Sequence, residues 1–119
     1  MCIRDRTAVL DEVVAEITGK GGSALAVPTD VSDPRAVAHL ASAALEWLES
    51  IDVWVNNVGV GAVGYFWDIP IEDHARLVDV NLKGLIYGAH AALRVFRLSL
   101  IHISEPTRRL RGSRMPSSA

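Results

Sequence analysis

Apolar residues recur along this chain in two rhythms. From Thr7 to Thr18, Val9, Leu10, Val13, Val14 and Ile17 fall at helical spacing, which gathers them on one face of a helix. Gly19, Gly21 and Gly22 follow, and glycine readily adopts the left-handed conformation that closes a helix. The same rhythm returns after Pro34, with Val37, Leu40, Ala41, Ala44, Leu45 and Leu48 on one face. Ser32 or Asp33 stands ready to cap that helix, with Pro34 in its first turn. A third helix is predicted to open at Pro70, with Leu77, Val80, Leu85, Ala92 and Val95 on its buried side.

Between the helices the rhythm changes. Ser23–Pro28 and Ile51–Val55 are short apolar runs without alternation, the pattern of strands buried on both faces. Tyr65–Ile69 reads as irregular. The order helix, strand, helix, strand, helix predicts an α/β fold with a parallel sheet covered on both sides. Gly84 and Gly88 sit four residues apart inside the last helix, where each costs about 1 kcal/mol against alanine. Close backbone approach offsets such a cost, and a neighbouring helix is the expected partner.

The most informative stretch is Ile51–Gly61, IDVWVNNVGVG. A buried strand that ends abruptly in two amides, Asn56 and Asn57, is unfavourable unless those amides find partners. A ligand or a neighbouring backbone at the strand's carboxyl end supplies them.

The run Gly59-Val60-Gly61-Ala62-Val63-Gly64 spells the dinucleotide fingerprint G-x-G-x-x-G. The mechanism behind that fingerprint requires the glycines to lead straight into a helix whose N-terminus meets the pyrophosphate. Here the predicted helix begins only at Pro70, and the acidic residue about twenty positions on, Asp79, falls within it. The fingerprint is therefore a decoy.

Three motifs in register carry a stronger likeness: Asp30-Val31, Asn56-Asn57-Val58-Gly59 and Val80-Asn81-Leu82. In order and spacing they resemble the short-chain dehydrogenase/reductase family, with Asn-Asn-Val-Gly standing where the family has Asn-Asn-Ala-Gly after its fourth strand. The resemblance covers residues 7–97. It implies a partial Rossmann-type doubly wound parallel sheet and an enzyme that moves hydride between NAD or NADP and a small alcohol or carbonyl substrate. By the same resemblance, Asp30 accepts from the adenine amino group and Val31 meets that ring through its backbone. Asn56, Asn57, Val58 and Gly59 shape the adenosine-ribose side of the crevice, with Val80 beside them. Asn81 would be the catalytic-relay residue, holding a water that leads to the family's lysine. The residues alone leave alternatives: Asp30 as turn chemistry ahead of a helix, Asn57 as wholly structural, Asn81 as an exposed polar position. A non-catalytic nucleotide-binding or regulatory Rossmann domain is the alternative function, since a fold does not by itself fix an activity.

The family's catalytic Tyr-x-x-x-Lys is not found. Tyr65 has Ile69 four residues on, Tyr87 has Ala91, and Lys83 is preceded at that distance by Asp79. His39, His74 and His90 lack metal-ligand spacing and read as helix-surface residues; no metal site is expected. The resemblance also implies a cytoplasmic protein and a homo-oligomeric parent, the latter in keeping with Gly84 and Gly88.

Both ends alter the composition. MCIRDR back-translates to ATG TGT ATA AGA GAC AGN, and its reverse complement begins the reading Leu98-Ser99-Leu100-Ile101-His102-Ile103. Two ends of one protein have no physical reason to be reverse complements, and both resemble a translated transposase-end adapter from a sequencing library. Residues 1–6 and 98–119 are thus expected to be non-native, leaving residues 7–97 as an internal piece of a larger domain. The whole chain has 12 Lys+Arg against 14 Asp+Glu. Without its ends it keeps 6 basic and 12 acidic residues and loses Cys2, its one cysteine. A net charge of −6 argues against nucleic-acid or anionic-membrane partners, and no apolar run approaches the ~20 residues of a membrane span. The expected strands are the third and fourth of the order 3-2-1-4-5-6, so the two that lie between them are missing. The isolated chain is expected to be unstable and inactive.

Overall fold

The computed structural model describes residues 3–111, with side chains from Arg6 to Leu100. Its elements are α1 (Ile3–Gly19), α2 (Pro34–Leu48), α3 (Ile71–Leu77), a π-helical turn (Val78–Lys83) and α4 (Gly84–Arg111). The last three run on without a break. The single helix foreseen from Pro70 is therefore interrupted by a stretch of wider i→i+5 hydrogen bonding, with Pro70 as its N-cap. α1 and α4 cross positions 6/7 and 97/98 as continuous helix.

Local chemistry accounts for the helix ends. α1 closes in a Schellman motif: Gly22 N–H donates to Ile17 O and Gly21 N–H to Thr18 O, both at 3.0 Å, with Gly21 at φ 85°. A Cβ on Gly22 would stand 2.8 Å from Ile17 Cγ2, so both glycines are needed. Asp33, not Ser32, caps α2, its side chain accepting from Arg35 N–H at 2.9 Å with Pro34 following. α2 ends at Glu49, where φ is 61° and Ser50 N–H donates to Leu48 O at 2.6 Å. That is a γ-turn of the strained hand on a residue with a Cβ. It permits the chain to leave the helix ahead of Ile51.

Among the described residues Ser23–Pro28 and Ile51–Val55 form no strand, and Asp52 lies at a bend. This departs from the expected sheet, for a topological reason. In the doubly wound order the third and fourth strands are separated by the first two and never share a ladder. Val53 and Val55 stand 76% and 74% exposed.

The buried apolar side chains among the described residues are Val37, Ala41, Ala91, Ala92 and Val95. Val37, Ala41, Ala91 and Val95 form a seam between α2 and α4, with Val31, Leu45, Ile51, Trp54 and Tyr87 packed partly against it. Leu85, expected inside, is 50% exposed. Among the described residues α1 packs on no other helix, and its Val9, Val13 and Ile17 are open to solvent.

Candidate functional site

Where the end of the Ile51–Val55 segment meets α2, the π turn and the start of α4, they enclose a crevice of about 280 Å³. Val31, Asn56, Asn57, Val58, Gly59 and Asn81 all line it. Six of the eight residues singled out from sequence are thus brought together from three separated segments. Val80 lies in the π turn, half-buried, outside that lining, and Asp30 sits just outside it beside Val31.

Asn81 makes the tightest link. Its Oδ1 accepts from Val60 N–H and its Nδ2 donates to Val60 O, each at 2.8 Å. One amide thereby satisfies both polar atoms of a backbone unit in the glycine-rich loop. The loop is bound to the π turn, which leaves the side chain less free to hold a water than the sequence reading supposed. Gly59 passes directly beside this link, and a Cβ there would meet only Asn81 Oδ1, at 3.5 Å. The fingerprint reading fails on geometry as expected, since helix does not resume until Ile71.

Gly84 and Gly88 are close-approach positions, but their neighbour is not another helix. A Cβ on Gly84 would lie 2.9 Å from Val31 Cγ2, and one on Gly88 would collide with Asn56 Oδ1. The two glycines let the segments that carry Val31 and Asn56 lie flat on the helix. Asn56 Oδ1 also accepts from Trp54 Nε1–H at 2.9 Å.

Asp30 does take part in turn chemistry. Its Oδ1 accepts from the Ser32 hydroxyl at 2.7 Å and from Ser32 N–H at 3.0 Å. These bonds, the hydroxyl's foremost, hold its carboxyl below the usual value. Lys83 is paired with Asp79 at 2.7 Å on the exposed side of the π turn. That hydrogen bond raises its pKa. His74 is more than a surface residue: a ring nitrogen lies 3.0 Å from Phe66 O and the two rings sit 4.3 Å apart. The stretch Tyr65–Ile69, read as irregular, is a hydrogen-bonded turn in which Tyr65 and Trp67 stack with centroids 5.0 Å apart.

Sequence reasoning missed Val60 and Trp54. Val60 contributes only backbone, so its side chain carries no signal. Trp54 did offer one: a partly buried indole N–H ordinarily needs an acceptor, and two amides follow it.

The family model described as enoyl-(acyl carrier protein) reductase matches residues 1–104. An uncharacterized oxidoreductase, YxnA, of Bacillus subtilis is 35% identical over 85 residues, 71% of this chain and 24% of that protein. The backbone resembles a short-chain dehydrogenase/reductase from Burkholderia phymatum in complex with NAD, with TM-score 0.72 and 32% identity over 75% of this chain and 32% of that one. It likewise resembles a short-chain dehydrogenase from Burkholderia cenocepacia in complex with NADP, with TM-score 0.66 and 32% identity over 71% of this chain and 35% of that one. The shared backbone course is that of an α/β, Rossmann-type domain. The chain spans between about a quarter and about a third of the length of these proteins.

Proposed function

This chain belongs to the short-chain dehydrogenase/reductase family, and we propose that it carries the adenosine side of a NAD(P) crevice from an oxidoreductase acting on a small alcohol or carbonyl compound. The observation that carries this reading is the convergence of Val31, Asn56–Gly59 and Asn81 on one crevice. Its volume, about 280 Å³, lies at the low end for a ligand pocket. That suits the nucleoside half of the cofactor better than the whole dinucleotide. The chemistry also fits: amides from Asn56 and Asn57, a glycine that admits close backbone approach, and an apolar wall from Val31, Val37 and Leu40.

When bound, the cofactor supplies the hydride donor or acceptor. This chain's residues bind and orient it. Asp30 offers a carboxylate already held by Ser32 through one oxygen, leaving the other to accept from an adenine amino group. Val31 and Val58 flank the ring, and Val80 backs the turn that holds Asn81. The Asn81 amide is engaged with Val60 and holds the glycine-rich loop against the π turn.

We further propose that residues 7–97 are the native segment, that the central strands of the parallel sheet come from sequence outside it, and that the chain alone is inactive. In the parent, a serine and Tyr-x-x-x-Lys beyond Arg97 would complete the acid-base machinery. Recovering the parent reading frame from source DNA tests this. A frame that departs from residues 1–6 and 98–119 and runs into those motifs supports the enzyme reading. A frame that lacks them supports the non-catalytic nucleotide-binding alternative. The purified chain, given NADH or NADPH with alcohols and carbonyls, is expected to show no turnover.

A further inference from the structure

We propose that Trp54 is a positioning residue for Asn56: it holds the amide so that Asn56 presents a hydrogen-bond donor to the ligand of the crevice. The proposal rests on the reading of that crevice as a nucleoside site. An indole N–H can only donate, so the Asn56 atom that meets Trp54 Nε1 at 2.9 Å is the oxygen. This decides which way round the amide sits, a choice that an asparagine otherwise leaves open. With Oδ1 engaged, Nδ2 makes no hydrogen bond among the described residues, and Asn56 lines the crevice.

Gly88 supports the same arrangement from the helix side. A Cβ there would collide with Asn56 Oδ1 and lie 3.3 Å from Trp54 Nε1, so the Trp54–Asn56 pair occupies the space that any other residue at 88 would fill. Trp54 is in turn anchored by packing against the Val37, Ala41, Ala91 and Val95 cluster. The helical layer therefore sets the indole, the indole sets the amide, and the amide faces the ligand as a donor. A group that accepts, such as a ribose hydroxyl or ring oxygen, is selected over one that only donates.

The test is nuclear magnetic resonance on the isotope-labelled full chain, whose dispersed amide spectrum first establishes that it is folded, with ADP-ribose as the probe and Trp54→Phe to identify the indole signal. The Trp54 indole proton is expected to exchange with water several-fold more slowly than that of Trp67, which is 78% exposed. ADP-ribose is expected to shift both Asn56 Nδ2 protons. Trp54→Phe should weaken ADP-ribose binding about fivefold, the effect of one neutral hydrogen bond, with unchanged circular dichroism. Trp54→His, which keeps a ring N–H, should recover part of that loss. An indole that exchanges as fast as Trp67 overturns the proposal, and so does equal affinity in Trp54→Phe. A protected indole with no ADP-ribose response anywhere in the crevice overturns the nucleoside reading and the ligand-directed part of this proposal with it. An ADP-ribose response that Trp54→Phe leaves intact overturns the positioning role alone.

Discussion

Asn81 holds Val60 by both polar atoms of its backbone, accepting at 2.8 Å and donating at 2.8 Å across 21 positions of sequence. The pair joins the glycine-rich loop to the π turn, so loop and helix should loosen together. Asn81→Ala removes two partly exposed hydrogen bonds, a loss of about 1 kcal/mol. Exchange of the Val60 amide proton is then expected to quicken about fivefold. Asn81→Asp keeps an acceptor but sets a carboxylate oxygen against the Val60 carbonyl, and should open the loop further. Amide exchange read at Val60 and Gly61 checks both; unchanged rates would separate the loop from the turn.

Gly84 and Gly88 test the packing by sign. Helix propensity alone makes Gly→Ala stabilising by about 1 kcal/mol. Contact geometry makes Gly88→Ala destabilising instead, by about 1–3 kcal/mol for an overpacked site, because the added methyl group strikes Asn56. Gly84→Ala meets Val31 at Cγ2, Cβ and backbone O, a β-branched residue with little freedom to move, and should be destabilising as well. Gly61→Ala meets nothing within 4 Å and serves as the control. Urea titration followed by helical circular dichroism ranks the three.

The same glycines show how far the sequence could be read. Their spacing announced a close approach, and one does occur. The partner was out of reach, because Val31 and Asn56 lie 53 and 32 positions upstream of Gly84 and Gly88 and only the folded path brings them near. Helices α1 and α2 were plain from periodicity and capping residues. The π turn was not, since Val78–Lys83 continues the apolar rhythm of its neighbours and one extra residue in a turn leaves no mark in composition. Ser23–Pro28 and Ile51–Val55 were recognised as apolar runs, but pairing depends on partner strands, which local sequence does not contain. At the site, Asn56–Gly59 and Asn81 were legible as motifs, whereas their hydrogen-bond partners, a backbone unit and an indole, were not.

Glu49 carries a left-handed φ of 61° on a residue with a Cβ, a conformation that costs about 1–2 kcal/mol. Glu49→Gly is expected to stabilise the chain by up to about 1 kcal/mol, after the greater entropy of glycine in the unfolded state is set against the relief. The urea midpoint measures it. A lower midpoint would mean that the turn is not strained.

Asp30 gives a pH signature. Its folded pKa lies below the ordinary carboxylate value because Ser32 bonds to the ionised form. A depressed carboxylate contributes stability that is present above the unfolded pKa and lost as pH falls through the folded one. The group is exposed, so the contribution is small, and titration of the Asp30 carboxyl signal is the better readout. Ser32→Ala should return that titration toward 3.8, the unperturbed value.

Val31, Asn56–Gly59 and Asn81, which line one crevice, are proposed to form the nucleoside side of a cofactor site. Titrating the purified chain with ADP-ribose while following backbone amide signals tests it most directly. Saturable shifts are expected at Val31, Asn56, Asn57, Val58 and Gly59, with the groove between α2 and α4 silent. Shifts centred on that groove, or none at saturating ADP-ribose, would contradict it.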